Sequence, residues 1–211
     1  MRVTLIHALR PSIDPIQDAF ARLWPEAVLR NILDDSLSRD LALAGRLEDS
    51  MVRRFLALGR YAVEAGTDAI LFSCSAFGPA IDAVAKDLAP LLVRKPNQAM
   101  IEQAVRLGGR IAIVSSFAPT LESIPAEFPA GTNLTPVFVE GAMAALATGD
   151  GSTHDRLVAE ACKPVRCDVI ALTQFSIARA GAAVEAATGK PVLTTPDAAV
   201  RDLIYTLDAR V

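Results

Sequence analysis

The chain contains an internal repeat that extends over most of its length. The segment DAILFSCSAFGPAIDAV, at positions 68–84, returns one hundred positions later as DVIALTQFSIARAGAAV, at positions 168–184. Three more pairs of segments match in the same order: 2–16 with 110–124, 28–37 with 134–143, and 91–100 with 191–200. The period is too long for a solenoid repeat and has the size of a small domain. The chain is therefore predicted to consist of two copies of one folding unit.

The apolar segments of each copy predict parallel β-strands. They are short and rich in Val, Ile and Leu, and they mostly lack the alternation of half-buried strands, which is typical of strands covered on both faces. Any two parallel-sheet units look somewhat alike, but the shared Pro and Arg positions favour a true repeat. The predicted strands are residues 3–6, 28–33, 69–72, 91–93, 111–114, 134–139, 169–172 and 191–193.

Amphipathic stretches between the strands predict helices, the longest of them at 40–65 with Gly66 at its end. The fold class is therefore α/β, with two pseudo-symmetric lobes that each hold a parallel sheet of about four strands flanked by helices. We expect the first lobe to contain residues 1–96 plus 197–211 and the second residues 97–196, with the active-site cleft between them.

Composition and charge exclude several classes of protein. With 52% hydrophobic and 21% charged residues, the chain has ample material for a core. The net charge of −3 and the lack of a Lys/Arg-rich run argue against nucleic acid or an acidic membrane surface as a partner. No transmembrane segment or signal peptide is expected, and three cysteines without framework spacing suit the cytoplasm. Assembly into a homo-oligomer is compatible with the sequence.

Polar residues cluster where the predicted strands end. Ligands of open parallel sheets bind beyond the carboxyl ends of the strands, and a pseudo-two-fold axis would bring the ends of both lobes to one cleft. These residues are therefore the candidates for a substrate site, in which Ser73, Ser75, Thr173, Gln174 and Ser176 are expected to form the cradle, with Ser12, Ser115, Ser116 and Thr120 behind them. They are His7 and Ser12, Ser73, Cys74 and Ser75 in the first copy, and Ser115, Ser116, Thr120, Thr173, Gln174 and Ser176 in the second.

Cys74 is the candidate reactive group, since it lies between a buried strand and a helix predicted to start near Phe77. Backbone N–H groups at a helix N-terminus lower the pKa of a thiol and can hold a carboxylate. Such a cysteine can accept or deliver a proton at carbon, or add as a nucleophile. The alternative is a small buried hydrophobe. Cys162 and Cys167 precede a strand and are predicted to be structural, without a metal site.

The repeat, the strand–Cys–helix turn LFSCSA and the segment TGKPVL resemble the aspartate/glutamate/hydantoin racemase superfamily, which includes arylmalonate decarboxylase and maleate isomerase. The resemblance covers essentially the whole chain. It implies a cofactor-independent enzyme acting next to a carboxylate of a small acid, with one cysteine per lobe flanking the α-carbon. The first cysteine matches Cys74, and Ser75 falls where the family usually has a small polar residue that contacts the substrate carboxylate.

The second family cysteine falls at Gln174. Racemisation by two bases needs an acceptor and a donor on opposite faces of the substrate, and a carboxamide is neither near neutral pH. Amino-acid racemase is the activity implied by the family, whereas Gln174 favours a one-thiol decarboxylation or isomerisation. In arylmalonate decarboxylase the single cysteine lies in the second lobe, so the match is incomplete. A catalytically silent protein that binds a small acid is the non-enzyme alternative.

Other candidates have two interpretations. His7 could be a second acid/base or a satisfied loop histidine. His154 follows Ser152 or Thr153, a predicted N-cap, and is expected more as a surface residue of a first turn than as a cleft residue. Asp34 and Asp35 could form a base or metal site, or cap a turn. Nucleotide-binding and G-x-S-x-G motifs are not found, so no cofactor or metal is expected.

Overall fold

The computed structural model of the chain describes residues 1–209 and contains two separate parallel sheets. The first sheet has the strand order β2-β1-β3-β4, and the second repeats it as β6-β5-β7-β8. The strands are β1 (Arg2–His7), β2 (Val28–Leu33), β3 (Ala69–Phe72), β4 (Leu92–Arg94), β5 (Ile111–Ser115), β6 (Leu134–Phe138), β7 (Val169–Leu172) and β8 (Val192–Thr194). All eight predicted strands are confirmed, with ends that differ by at most one residue.

Helices cover both faces of each sheet, as the unpatterned apolar strands predicted. Every residue of β3, β5 and β7 is buried, and four apolar clusters lie between the sheets and their helices. The helices are α1 (Ile13–Leu23), α2 (Ser36–Ala44), α3 (Asp49–Glu64), α4 (Gly78–Asp87), α5 (Gln98–Leu107), α6 (Ala118–Ser123), α7 (Ala142–Ala147), α8 (Gly151–Cys162), α9 (Gly181–Thr188) and α10 (Thr195–Asp208).

The prediction of one long helix at 40–65 was wrong. The chain forms α2 and α3 instead, separated by a turn in which Gly45 has a φ of 65°. This left-handed conformation is readily adopted by glycine and ends a helix. The predicted apolar stripe is nevertheless present in α3, where Met51, Phe55 and Ala62 are buried against the first sheet.

The two lobes share hydrogen bonds as well as strand order. Asp68, before β3, donates its N–H to the carbonyl of Arg2 and accepts the N–H of Arg2 at a carboxylate oxygen, at 2.8 and 2.7 Å. Asp168, before β7, makes the same two bonds with Arg110, also at 2.8 and 2.7 Å. The repeat in the sequence therefore corresponds to a repeat in three dimensions.

The chain passes between the sheets after β4 and again after β8. Helix α5, which follows β4, contacts α10 and the strands β7 and β8 of the second sheet. Helix α10 returns to the first sheet, where Val200 and Leu203 pack with Leu5 and Phe20. The domain limits of 1–96 plus 197–211 and 97–196 stay a prediction, and residues 210 and 211 lie outside the described chain. No helix in residues 1–209 is long and apolar enough to cross a membrane.

Candidate functional site

The carboxyl ends of the central strands of both sheets meet at a small cavity. Its volume is about 20 Å³, which is room for about one water molecule. The first lobe provides most of the wall and the second lobe closes it. The lining residues are Leu9, Ser12, Ser38, Ser73, Cys74, Ser75, Ala76, Phe77, Phe117, Thr120 and Gln174.

Six of the predicted site residues are part of this wall, and five are not. Ser12, Ser73, Cys74, Ser75, Thr120 and Gln174 line the cavity. The structure places the other five behind the wall or on another surface, which for Thr173 and Ser176 differs from the expected substrate cradle. These are His7, Ser115, Ser116, Thr173 and Ser176.

Cys74 follows β3 and is 8% exposed. The N–H group of Ala8, at the end of β1, donates a hydrogen bond to its sulfur at 2.8 Å, and Ser73 Oγ lies 3.9 Å from the sulfur. Burial raises the pKa of the Cys74 thiol to about 12, although the contacts with Ala8 and Ser73 favour the thiolate. The expectation of a lowered pKa was therefore wrong for this buried thiol.

The helix after Cys74 does not compensate for this burial. Residues Ser75–Phe77 form a single 3₁₀ turn, and α4 begins only at Gly78. The thiol is thus separated from the first turn of the longer helix, and its burial removes water that would solvate a thiolate.

A hydroxyl pair connects the two lobes beside the thiol. Ser75 Oγ of the first lobe lies 2.9 Å from Thr120 Oγ1 on α6 of the second lobe. Both side chains are buried, and both line the cavity. Each hydroxyl can donate one hydrogen bond, so the pair provides polar donors at the cavity wall.

Gln174 occupies in the second lobe the position of Cys74 in the first. Its Oε1 accepts three hydrogen bonds, from Ser115 Oγ at 2.7 Å, the Ser116 N–H at 2.7 Å and Ser116 Oγ at 3.2 Å. Ser115 and Ser116 therefore orient Gln174 instead of lining the cavity. Because the oxygen is held from behind, the side-chain NH₂ group is the part of Gln174 left for the cavity.

The side chains of Thr173 and Ser176 lie outside the cavity. Thr173 Oγ1 donates to the carbonyl of Val114 at 2.9 Å, which is a structural bond. Ser176 lines a second, larger groove of about 810 Å³ between the lobes, where arginine side chains such as Arg10 and Arg179 alternate with acidic ones. Neither side chain reaches the cavity that contains the thiol.

His7 is fully buried behind the cavity wall. Its Nδ1 lies 2.7 Å from Ser73 Oγ, and its Nε2 lies 3.0 Å from Asn31 Oδ1 on β2. Burial lowers the pKa of His7, although the hydrogen bond with Asn31 opposes this effect. Asn31 was missed by the sequence reasoning, because a single polar residue in a strand has no distinctive pattern.

The other candidates have structural surroundings. His154 is fully buried in α8, contrary to the expected surface position, and the side chain of Asp150, not Ser152 or Thr153, caps that helix. Asp34 accepts hydrogen bonds from Ser36 and Arg54 and so caps a turn. Cys162 is buried in an apolar cluster of the second lobe, and Cys167 packs at its margin. No three His, Cys, Asp or Glu side chains within residues 1–209 come together as a potential metal site.

Glu127 was also missed. It ends the 3₁₀ turn Ile124–Glu127 of the second lobe and lies against the start of α4, so that a Cβ at Gly78 would be 3.3 Å from its Oε1. Burial raises the pKa of Glu127 to about 7, with opposing effects of Lys95 and Asp82. An isolated Glu in a loop sequence gives no sign of such burial.

Comparison with known proteins supports the fold and leaves the activity open. No protein-family model and no curated protein match the sequence. Among solved structures, glutamate racemase from Thermus thermophilus in complex with β-chloro-D-alanine aligns with a TM-score of 0.75 and 15% identity, over 99% of this chain and 81% of that one. Allantoin racemase from Klebsiella pneumoniae aligns with a TM-score of 0.70 and 15% identity, over 100% and 89%.

A glycine-to-cysteine mutant of arylmalonate decarboxylase in its sulfate-associated form aligns with a TM-score of 0.66 and 18% identity, over 97% of this chain and 92% of that one. The chain has the two-lobed fold of the Asp/Glu racemase superfamily. The fold resemblance implied by the sequence is thereby confirmed. Proteins that share a fold can catalyse different reactions. The activity therefore depends on the residues that line the cavity.

Proposed function

We propose that the protein is a cofactor-independent enzyme that transfers a proton at the carbon next to a carboxylate of a small acid. Cys74 is the proton-transferring group, and Gln174 faces it in place of a second thiol. Two kinds of observation support this proposal. Racemases and a decarboxylase share the fold, and the thiol and the carboxamide line one cavity between the lobes.

The protonation state of Cys74 favours a role as proton donor. With a pKa of about 12, the thiol holds its proton at neutral pH. When that proton leaves, the Ala8 N–H at 2.8 Å stabilises the thiolate that remains. A donor of this kind is suited to a carbanion or enediolate intermediate, which is a strong base.

Gln174 is suited to hold such an intermediate but not to exchange protons with it. Its oxygen is occupied by Ser115 and Ser116, so its NH₂ group can donate to a carboxylate or enediolate oxygen. Ser75 and Thr120 supply two further hydroxyl donors from both lobes. Because the cavity holds only about one water, the lobes must separate to admit a substrate.

The single observation that carries the proposal is the fixed carboxamide that lines the same cavity as the thiol. It favours a one-thiol reaction such as decarboxylation. There the C–C bond to one carboxylate breaks, CO₂ leaves, the electron pair remains in the enediolate, and the Cys74 proton is delivered to carbon. A cis–trans isomerisation of a dicarboxylate also requires a single thiol. The named racemases favour racemisation, which would need another group to replace Gln174 in proton transfer.

The test is a substrate panel in D₂O that contains α-substituted malonates, maleate, and both enantiomers of aspartate and glutamate. Proton NMR measures deuterium incorporation and isomerisation, and CO₂ release measures decarboxylation. We expect a one-thiol conversion that is lost in Cys74→Ala and kept in Cys162→Ala, which removes a buried thiol of the other lobe. Rapid racemisation of glutamate by the wild type would contradict the one-thiol mechanism. Binding of these acids without any conversion would indicate a silent binding protein.

A further inference from the structure

The groove of about 810 Å³ between the lobes shares two loops with the small cavity. In the loop after β1, Leu9 and Ser12 line the cavity, and Arg10 lines the groove. In the loop after β7, Gln174 lines the cavity, and Ser176 lines the groove. Because one of these loops belongs to each lobe, separation of the lobes joins the groove to the cavity.

The two spaces are close enough for one molecule to occupy both. Gln174 and Ser176 are two residues apart in the chain, so their Cα atoms are at most about 7 Å apart. The cavity has room for about one water molecule, whereas the volume of the groove is typical of a small-molecule site. The groove can therefore hold the remainder of a substrate that reacts in the cavity.

The corresponding space on the other side of the repeat is filled. There α6 of the second lobe contacts the 3₁₀ turn Ser75–Phe77 of the first lobe. The equivalent elements at the groove are α1 and the 3₁₀ turn Ala178–Ala180, which make no comparable contact within residues 1–209. The groove is therefore not a general consequence of the duplicated fold.

Arg179 is held at the wall of the groove by its Nε. This nitrogen donates to both carboxylate oxygens of Asp155, at 2.9 and 3.2 Å, and the fully buried His154 lies 2.7 Å from the same carboxylate through Nδ1. Within residues 1–209 the two terminal nitrogens of Arg179 have no hydrogen-bond partner. A guanidinium held in this way still offers two donors to a carboxylate, in the paired geometry that arginine favours.

Gly151 leaves room for this guanidinium. A Cβ at Gly151 would lie 2.6 Å from Arg179 Nη1, so a side chain there would displace it. Gly151 is the first residue of α8 and does not have the left-handed backbone that favours glycine. The space that this glycine leaves is therefore occupied by Arg179.

Two further polar groups lie on the same wall. Ser176 is 1% exposed, and its Oγ has no hydrogen-bond partner within residues 1–209. Helix α9 begins at Gly181, which lines the groove, and no side chain caps its first N–H groups. A buried hydroxyl and uncapped N–H groups beside a guanidinium are suited to bind an anion.

Acidic residues of the groove restrict the charge of that anion. The acids of the lining are Asp14, Asp18, Glu185 and Asp197, and they outnumber the arginines, which are Arg10, Arg22 and Arg179. Asp197 and Arg22 are paired with each other. General attraction of anions is therefore weak, and binding depends on the directed donors around Arg179. A singly charged carboxylate is favoured over a doubly charged phosphate, because the acids repel the second charge.

We propose that the groove binds a remote carboxylate of the substrate through Arg179, so that the substrate is a dicarboxylic acid longer than aspartate or glutamate. This inference rests on the proposed function, which assigns the reacting end of the substrate to the cavity at Cys74. The near carboxylate then binds in the cavity, and the far carboxylate accepts two hydrogen bonds from the terminal nitrogens of Arg179.

The test measures how well acids protect Cys74 from iodoacetamide at pH 9, by mass spectrometry. The dicarboxylates from malonate to azelate are compared with monocarboxylates of the same chain length. In the wild type, a dicarboxylate longer than glutarate should protect at a concentration about tenfold or more below that of its matching monocarboxylate. No difference at any length, or the largest difference at glutarate or a shorter acid, would overturn the proposal.

Two variants assign the difference to Arg179. Arg179→Gln removes the guanidinium, and Gly151→Ala displaces it without a change of charge at a helix position that tolerates alanine. Both should abolish the difference between dicarboxylate and monocarboxylate. Arg106→Gln, which removes an exposed arginine from the last turn of α5, is the matched control and should keep it. A difference of wild-type size in both Arg179→Gln and Gly151→Ala would overturn the assignment.

A phosphonate series tests the charge of the bound group. Acids in which a phosphonate replaces the far carboxylate should protect less well than the dicarboxylates, and stronger protection by them would overturn the assignment to a carboxylate. Protection is measured without turnover. Length-dependent protection without conversion of any acid would therefore contradict the proposed function and support the groove. Conversion without a difference between dicarboxylates and monocarboxylates would contradict the groove alone.

Discussion

The two lobes place the same donor against different side chains. In the first lobe the N–H of Ala8, at the end of β1, donates to the Cys74 sulfur at 2.8 Å. In the second lobe the N–H of Ser116, at the end of β5, donates to Gln174 Oε1 at 2.7 Å. The backbone therefore provides an equivalent donor twice, for a thiol on one side and for a carboxamide on the other.

The side chains behind these two groups differ in the same way. Ser73 is hydrogen-bonded to the titratable ring of His7, whereas its counterpart Thr173 donates to the carbonyl of Val114. Ser115, the counterpart of His7, donates to Gln174. One lobe thus places a titratable ring behind its strand-end residue, and the other places a hydroxyl that bonds the carboxamide. The two halves of the duplicated fold therefore differ in the chemistry of the groups they hold.

The substitution Gln174→Cys should have the largest effect, because it makes the two lobes chemically alike. A second thiol opposite Cys74 would restore the two-base arrangement. We expect deuterium exchange at the α-carbon of aspartate or glutamate to rise by about two powers of ten above the wild type, measured by proton NMR in D₂O. Gln174→Ser, which removes the amide without adding a thiol, is the matched control. Equal exchange in both variants would show that the new thiol is not the acting group.

Cysteine labelling should distinguish the buried thiol of the cavity from the partly exposed Cys167 of the second lobe. The pKa of Cys74 is raised to about 12 and that of Cys162 to about 11, both mainly by burial, whereas Cys167 is partly exposed. At pH 8 we expect iodoacetamide to modify Cys167 first, several-fold faster than Cys74. Labelling of Cys74 should increase as the pH rises toward 12, and a saturating dicarboxylate should slow it further. Faster labelling of Cys74 than of Cys167 at pH 8 would show that the cavity is mostly open.

Ser115→Ala tests whether the second lobe depends on a fixed amide. The change removes one of the three bonds to Gln174 Oε1 and leaves the Ser116 N–H bond in place. We expect a loss of about 1 kcal/mol in the free energy of unfolding and a loss of turnover of less than about tenfold. Denaturant unfolding and initial rates measure the two effects. Ser123→Ala, which removes a hydroxyl bonded to the carbonyl of Thr120, is the control for stability.

The smallest effect is expected for Glu127→Gln, a substitution at the contact between the lobes, and it concerns the melting temperature. The folded-state pKa of Glu127, about 7, lies above the ordinary value of 4.5, so the folded protein favours the neutral carboxyl. This stabilisation is present below pH 4.5 and is lost as the pH rises through 7. Glu127→Gln should therefore melt at the temperature of the wild type at pH 4 and a few degrees higher at pH 8, by differential scanning calorimetry. The same melting temperature at pH 8 would show that Glu127 is already solvated.

Much of the fold was predictable because local patterns of apolar residues along the sequence mark its strands and helices. The strands at 28–33, 69–72 and 169–172 have the predicted ends, since buried parallel strands leave continuous apolar runs. The error at 40–65 arose because the apolar spacing continues across Gly45, where the backbone turns. Within the site, Cys74, Ser75, Thr120 and Gln174 were found from their strand-end positions. His7 and Ser115 were found as polar strand-end residues, but their partners depend on which way each side chain points.

The sequence by itself determined that the chain folds as two parallel-sheet lobes and that a thiol in one lobe corresponds to a carboxamide in the other. These properties depend on periodicity and on order along the chain. Only the tertiary structure decided that the thiol is protonated, that Ser115 and Ser116 hold Gln174, and that His7 lies behind Cys74. Solvation and hydrogen bonding depend on distances between groups about sixty residues apart in the chain, and those distances exist only after the strands have paired.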